Sequence, residues 1–129
     1  MNKDLVISLD LAKNIKTFGV KQKSLFYYSR DLQILSYRSA DIDRYYDYDK
    51  HSSAFTAGEL AIILPEMIRY DNLDLWLRMT KYPDSYDIAY GFYNECRLTV
   101  QHPEFAEALG LMLIQLLEKG YDLEARTFE

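Results

Sequence analysis

The stretch from Pro103 to Gly120 constrains this chain most, because it specifies a helix that cannot stand alone. Phe105, Leu109, Met112, Leu113, Leu116 and Leu117 recur at three and four residues and form one continuous apolar stripe. Pro103 suits the first helical position and Glu104 the first turn, while Gly120 can take the left-handed conformation that stops the helix. Burying these six side chains gives about 10 to 15 kcal/mol of gross transfer free energy, much of it offset by chain entropy. The remaining sequence must supply an apolar surface to receive them. Gly110, inside the helix, weakens it by about 1 kcal/mol relative to alanine. That cost suggests close approach of another backbone, with packing inside the chain favoured over packing on another subunit.

The receiving surface is legible between Leu73 and Phe92. Leu73, Leu75, Leu77 and Met79 alternate with Asp74, Trp76 and Arg78. After the turn-forming Tyr82-Pro83-Asp84-Ser85, Tyr86, Ile88, Tyr90 and Phe92 alternate with Asp87, Ala89 and Gly91. Pairing Leu77 with Ile88 makes the two apolar sets coincide. This register also sets Leu75 beside Tyr90, Arg78 beside Asp87 and Trp76 beside Ala89. A further short strand is compatible with Arg97 to Gln101.

Two more helices precede this hairpin. From Ser8 to Phe18, Leu11, Ala12, Ile15 and Phe18 share a face, with Ser8 as N-cap and Gly19 at the end. Thr56-Ala57-Gly58-Glu59 reads as a capping box, in which Thr56 and Glu59 each satisfy an orphan N–H. The helix that follows is expected to carry Ala57, Leu60, Ala61, Leu64 and Met67 inward, ending or kinking near Leu64 because of Pro65. Between these helices lies another expected hairpin, Ser24 to Ser29 and Gln33 to Tyr37 around Arg30-Asp31. Its consecutive Leu25, Phe26, Tyr27 and Tyr28 suit a strand covered on both faces, or one whose second face meets a partner. The expected fold is α+β: an antiparallel sheet of two hairpins with three helices in the order α-ββ-α-ββ-α, helices mainly on one face. Residues 1–129 are expected to form one domain.

Charge and cysteine usage narrow the function. Fifteen basic against twenty acidic side chains leave a net charge of -5, which disfavours generic nucleic-acid binding. Lys13, Lys16, Lys21 and Lys23 span a helix end and a loop, and read as solvated cations near a helix C-terminus. Acidic mimicry of nucleic acid would need carboxylates aligned along one surface, and net charge alone does not establish that. The lone Cys96 cannot form an intramolecular disulfide and fits a reducing compartment, with inert packing as its expected role. Leu5, Val6 and Ile7 are too short for a signal-peptide core, and Ala108 to Leu117 is about half of a bilayer span. A soluble, cytoplasmic protein is expected, with no membrane association and no cofactor.

Twelve tyrosines stand against two histidines and one cysteine, which points toward contact surfaces rather than bond-making chemistry. In Ala40 to Ser53, aspartates alternate with tyrosines and no apolar pattern reaches the core. The spacing of Asp41, Asp43, Asp47 and Asp49 fails the EF-hand template, so a solvated loop is favoured over a metal site. The same loop is a candidate to carry Tyr45, Tyr46 and Tyr48 to a protein partner. Trp76 is the second candidate: it faces away from the Leu75 and Leu77 side, beside small residues that leave room for a partner. Cover from the first hairpin or from Tyr121 to Glu129 is the alternative. Tyr28 joins the candidates through the aromatic first strand. His102 precedes Pro103 and reads as the residue leading into the last helix, while His51 lies in the acidic loop. No spacing singles out a nucleophile, a carboxylate pair, a phosphate loop or a metal site.

The strings Gln22-Lys23-Ser24-Leu25-Phe26-Tyr27-Tyr28, Phe55-Thr56-Ala57-Gly58-Glu59-Leu60 with Leu64-Pro65, and Leu116-Leu117-Glu118-Lys119-Gly120 resemble small uncharacterised proteins of tailed phages, prophages and related mobile elements of gut bacteria. That group typically has tryptophan where Tyr28 stands, and its middle segment often differs. The resemblance implies an accessory protein acting in the bacterial cytoplasm and carries over no functional residue. The leading expectation is a non-enzymatic protein-interaction module, with self-association into a homo-oligomer as one form of it. The alternative is a small enzyme or ligand-binding protein whose site assembles from His51 or His102 and carboxylates.

Overall fold

The computed structural model of the chain describes residues 5–22, 24–28, 34–36 (backbone) and 52–121. Among them the elements run α1 (Leu9–Thr17), β1 (Phe26–Tyr28), β2 (Ile34–Ser36), β3 (Ser52–Ser53), α2 (Ala57–Ile63), β4 (Met67–Tyr70), β5 (Leu73–Lys81), β6 (Tyr86–Phe92), β7 (Glu95–His102) and α3 (Phe105–Glu118). The α+β class and the three-helix order are those expected. The strands form two antiparallel sheets, β2-β1-β3 and β4-β5-β6-β7. Each expected hairpin therefore sits inside a larger sheet.

Local chemistry fixes the helix ends. Ser8 Oγ accepts the Leu11 N–H to start α1, and Gly19 follows the helix at a φ of 82°. Both halves of the Thr56–Glu59 capping box are formed on α2. Gly120, at a φ of 86°, closes α3 by donating to the Leu117 carbonyl while Tyr121 donates to that of Leu116, a Schellman closure. The start of α3 differs from expectation. Glu104 is the N-cap, in extended conformation, so Pro103 lies before the helix. His102 Nδ1 accepts the Glu104 N–H at 3.0 Å, which gives His102 its expected place at the head of α3.

Helix α3 is the centre of the fold, packed on β6 and β7 as well as on α1 and α2. It is consequently buried beyond the expected stripe, including Ala106, Ala108, Gly110 and Ile114. Gly110 accommodates α1. A Cβ there would lie 2.6 Å from Leu11 Cδ2 and 3.1 Å from Ile7 Cγ2, so the close neighbour is side chain rather than backbone. Tyr27 and Tyr28 are buried, which makes β1 a strand covered on both faces within the chain.

The β5–β6 register is two residues from the expected one. Leu77 faces Tyr90 and Met79 faces Ile88, with Arg78 beside Ala89 and Trp76 beside Gly91. The reason is that β5 continues through Thr80 and Lys81, leaving a four-residue loop in which Tyr82 N–H donates to the Ser85 carbonyl at 2.8 Å. A two-residue slip keeps every side chain on its face, which is why the apolar alternation could not distinguish the two pairings.

Met67 is a second correction. Helix α2 ends at Leu64, whose ψ of 129° is the extended conformation favoured before proline, and Met67 then opens β4 with its side chain outward. Ile63 takes the buried place instead. Asp71 and Asn72, at φ of 49° and 64°, form a two-residue turn that returns β4 onto β5. Ser52 and Ser53, at the end of the stretch read as a solvated loop, are buried and pair with β1. Serine carries no apolar signal by which to announce that.

Candidate functional site

Alternation along β5 separates two neighbours completely. Leu75 is 0% exposed and Trp76 is 52% exposed, because successive side chains leave opposite faces of the sheet. The pairings then define the outer face in rows that cross the strands. One row is Met67, Trp76, Gly91 and Cys96. The next is Arg78, Ala89 and Thr99, and the third is Thr80, Asp87 and Gln101. Beyond Trp76 in the other direction, Arg69 Nη1 meets Asp74 Oδ1 at 3.0 Å.

Relief on this face follows from residue size. Met67 and Trp76 project from β4 and β5, whereas Gly91 and Ala89 on β6 are buried between longer side chains on the flanking strands. Gly91 is required for a local reason as well. A Cβ there would come within 2.7 Å of the Glu95 carbonyl oxygen, at the irregularity where Arg97 is the extra residue of β7. Cys96 opposite it is exposed, a correction to the packed position expected. At the β6–β7 tip, Tyr93 holds a φ of 54° and its ring meets that of Phe92 edge-on at 4.4 Å.

Electrostatically the outer face is balanced. Arg69 and Asp74 neutralise each other, and Arg97 meets Glu95 at 3.4 Å near the tip. Among the described residues Arg78 has no ion-pair partner, and the buried Oδ1 of Asp87 has no hydrogen-bond partner.

Of the residues singled out from sequence, Trp76 is on this face and Tyr28 is not. Tyr28 lies in the core, where its hydroxyl donates to the Ile7 carbonyl at 2.7 Å. Burial, with added repulsion from Glu107 and Glu104, raises its pKa above the usual 10.0. Its polar tip is therefore committed inside the chain. Tyr45, Tyr46, Tyr48 and His51 lie outside the described residues. Met67, Cys96 and Tyr93 were missed. The alternation of Met67 to Tyr70 into Asp71-Asn72 could have placed Met67, but nothing in the spacing marks Cys96 or Tyr93.

A separate cavity of about 370 Å³ is lined by residues including Tyr86, Glu104 and Phe105, with the Tyr86 and Phe105 rings stacked 4.9 Å apart. Among the described residues its lining holds one carboxylate, Glu104, and brings no nucleophile and base together. Among the described residues no group of three or more His, Cys, Asp or Glu is placed to hold a metal ion, and no helix is long and apolar enough to cross a membrane. Comparison with protein-family models, curated proteins and solved structures gave no match.

Proposed function

We propose that this chain is a non-enzymatic protein-interaction module whose contact surface is the outer face of the β4–β7 sheet, centred on Trp76. The observation that carries the reading is the exposure of the tryptophan on the sheet, between the exposed Met67 on one neighbouring strand and the small Gly91 on the other. Tryptophan anchors that seat in or beside such relief dominate interface energetics. The cytoplasmic, phage or prophage setting belongs to the same proposal and rests on the sequence strings around Phe26, Phe55 and Leu116.

Capture of proteins on the immobilised parent chain, followed by affinity measurement with the purified captured protein, tests this reading. Loss of a central tryptophan anchor is expected to weaken binding by about thirtyfold or more in Trp76→Ala. Equal affinity of parent and variant would remove Trp76 from the contact surface.

A further inference from the structure

The row Met67, Trp76, Gly91, Cys96 has an order that matters: two large side chains followed by two small ones. Neighbouring strands lie about 4.8 Å apart. Consider a two-fold axis parallel to the strands, midway between β5 and β6. It places Trp76 over Gly91 of a second copy and Met67 over its Cys96, and the reverse pair follows by symmetry. In the next row Arg78 falls over the second copy's Ala89. Asp87 of that copy lies one pair further along, about 7 Å along the strand and about 10 Å across the sheet spacing, a distance that the arginine and aspartate side chains span together. A surface whose large residues meet its own small ones under one rotation is self-complementary in the sense an isologous interface requires.

From this we propose that the occupant of the face is a second copy of this chain, packed sheet to sheet about that axis. The proposal rests on the reading of the outer face as a contact surface. Charge favours the same occupant. The chain carries -5 overall, so two copies repel over most surfaces, but the outward charges of these rows are Arg69 and Arg78 against Asp74 and Asp87. They sum to zero, and Arg78 has no ion-pair partner of its own among the described residues. Four strands averaging about seven residues offer roughly 400 Å² of plane. Two such faces bury on the order of 1,000 Å² once side-chain relief is included, the low end of specific interfaces. The dimer is accordingly a weak one, with dissociation in the micromolar range.

Cys96 provides a reporter that needs no substitution, since its exposed thiol would lie beneath Met67 of the second copy. The experiment measures mass by light scattering and the rate of Cys96 reaction with a small aromatic disulfide, both from about 1 to 500 µM chain, for the parent and Trp76→Ala. The expected result is a parent mass rising from 15.2 kDa toward twice that value, with a parallel fall of at least about threefold in thiol rate. Trp76→Ala, with a retained circular dichroism spectrum, stays monomeric and reactive throughout. A parent that remains monomeric overturns the second copy as occupant, while the interaction reading still stands or falls on the captured partner. A parent dimer with unprotected Cys96 and unaffected by Trp76→Ala overturns the proposed geometry and removes this face from the assembly.

Discussion

The carboxylate of Glu59 and the hydroxyl of Ser24 meet at 2.8 Å although 35 positions separate them, and both are buried. Glu59 Oε1 also accepts the Thr56 N–H at 2.9 Å, and Oε2 accepts the Leu25 N–H at 3.1 Å. A side chain whose local task is to close a capping box thus also fastens the approach to β1 onto the head of α2. Glu59→Ala removes the acceptor of the two part-buried N–H groups and leaves the buried Ser24 hydroxyl only its longer contact to the Ala54 carbonyl at 3.4 Å, and is expected to cost about 2 to 3 kcal/mol. In Glu59→Gln one oxygen still accepts from Ser24 and Thr56, but an amide N–H₂ then faces the Leu25 N–H, so a loss of about 1 to 2 kcal/mol is expected. Urea unfolding of the two variants measures both. Equal stability of Glu59→Gln and the parent would show that the Leu25 bond contributes nothing.

Gly110 and Leu11 make a pair whose coupling has a defined sign. Alanine at 110 gains about 1 kcal/mol of helix propensity, but its Cβ would meet Leu11 Cδ2 at 2.6 Å and Cγ at 3.3 Å. The β-branched Ile7, at 3.1 Å, cannot turn away freely. Overpacking at a buried site costs about 1 to 3 kcal/mol, so Gly110→Ala is expected to destabilise by about 1 kcal/mol. With Leu11→Ala already in place most of the obstruction is gone, and Gly110→Ala becomes neutral or stabilising. A double-mutant cycle by denaturant unfolding measures this reversal.

Legibility in the sequence followed the physics of each signal. Capping boxes and terminal glycines are local hydrogen-bond devices, so Ser8, Thr56, Glu59 and Gly120 could be placed from neighbours alone. The alternation in β5 and β6 fixed faces, and hence the outward position of Trp76, because face depends only on parity. It did not fix register, since pairings two residues apart bury the same side chains. The β4 strand was masked by helical spacing through Met67, and the information that decides against it lies in Pro65 and in the Asp71-Asn72 turn. Burial of Tyr28 depends on the Ile7 carbonyl and the three-stranded sheet, relationships between distant residues that no window of sequence contains.

Leu75 and Trp76 test the sheet faces directly because they adjoin in sequence and differ in burial. Leu75→Ala empties a fully buried site and is expected to cost about 3 kcal/mol. Trp76→Ala removes a larger side chain from a half-exposed position, with an expected loss within about 1 kcal/mol. The chain has one tryptophan, so its fluorescence reports this site alone. At low micromolar concentration the parent is expected to show ready quenching by acrylamide and a red-shifted emission. A blue, unquenched emission there would place Trp76 under cover.

Tyr28 links the core to alkaline pH. Its pKa is raised above 10.0 first by burial and then by Glu107 and Glu104, so the folded state holds the phenolic proton more tightly than the unfolded chain does. Below pH 10 both states keep the proton, and the stabilising contribution is fully present. As pH rises above 10 the unfolded chain ionises first, unfolding gains free energy, and stability falls through the folded-state pKa. Tyr28→Phe has no proton to lose. It is expected to be less stable than the parent by about 1 kcal/mol at pH 8, because the bond to the Ile7 carbonyl is absent. The gap should then narrow between pH 10 and 11. Lysine titrations and the raised pKa of Tyr121 are common to both chains and cancel in the difference. Urea unfolding of both at pH 8, 10 and 11 supplies the measurement, and a gap independent of pH would mean that the Tyr28 hydroxyl ionises equally well in the folded and unfolded chains.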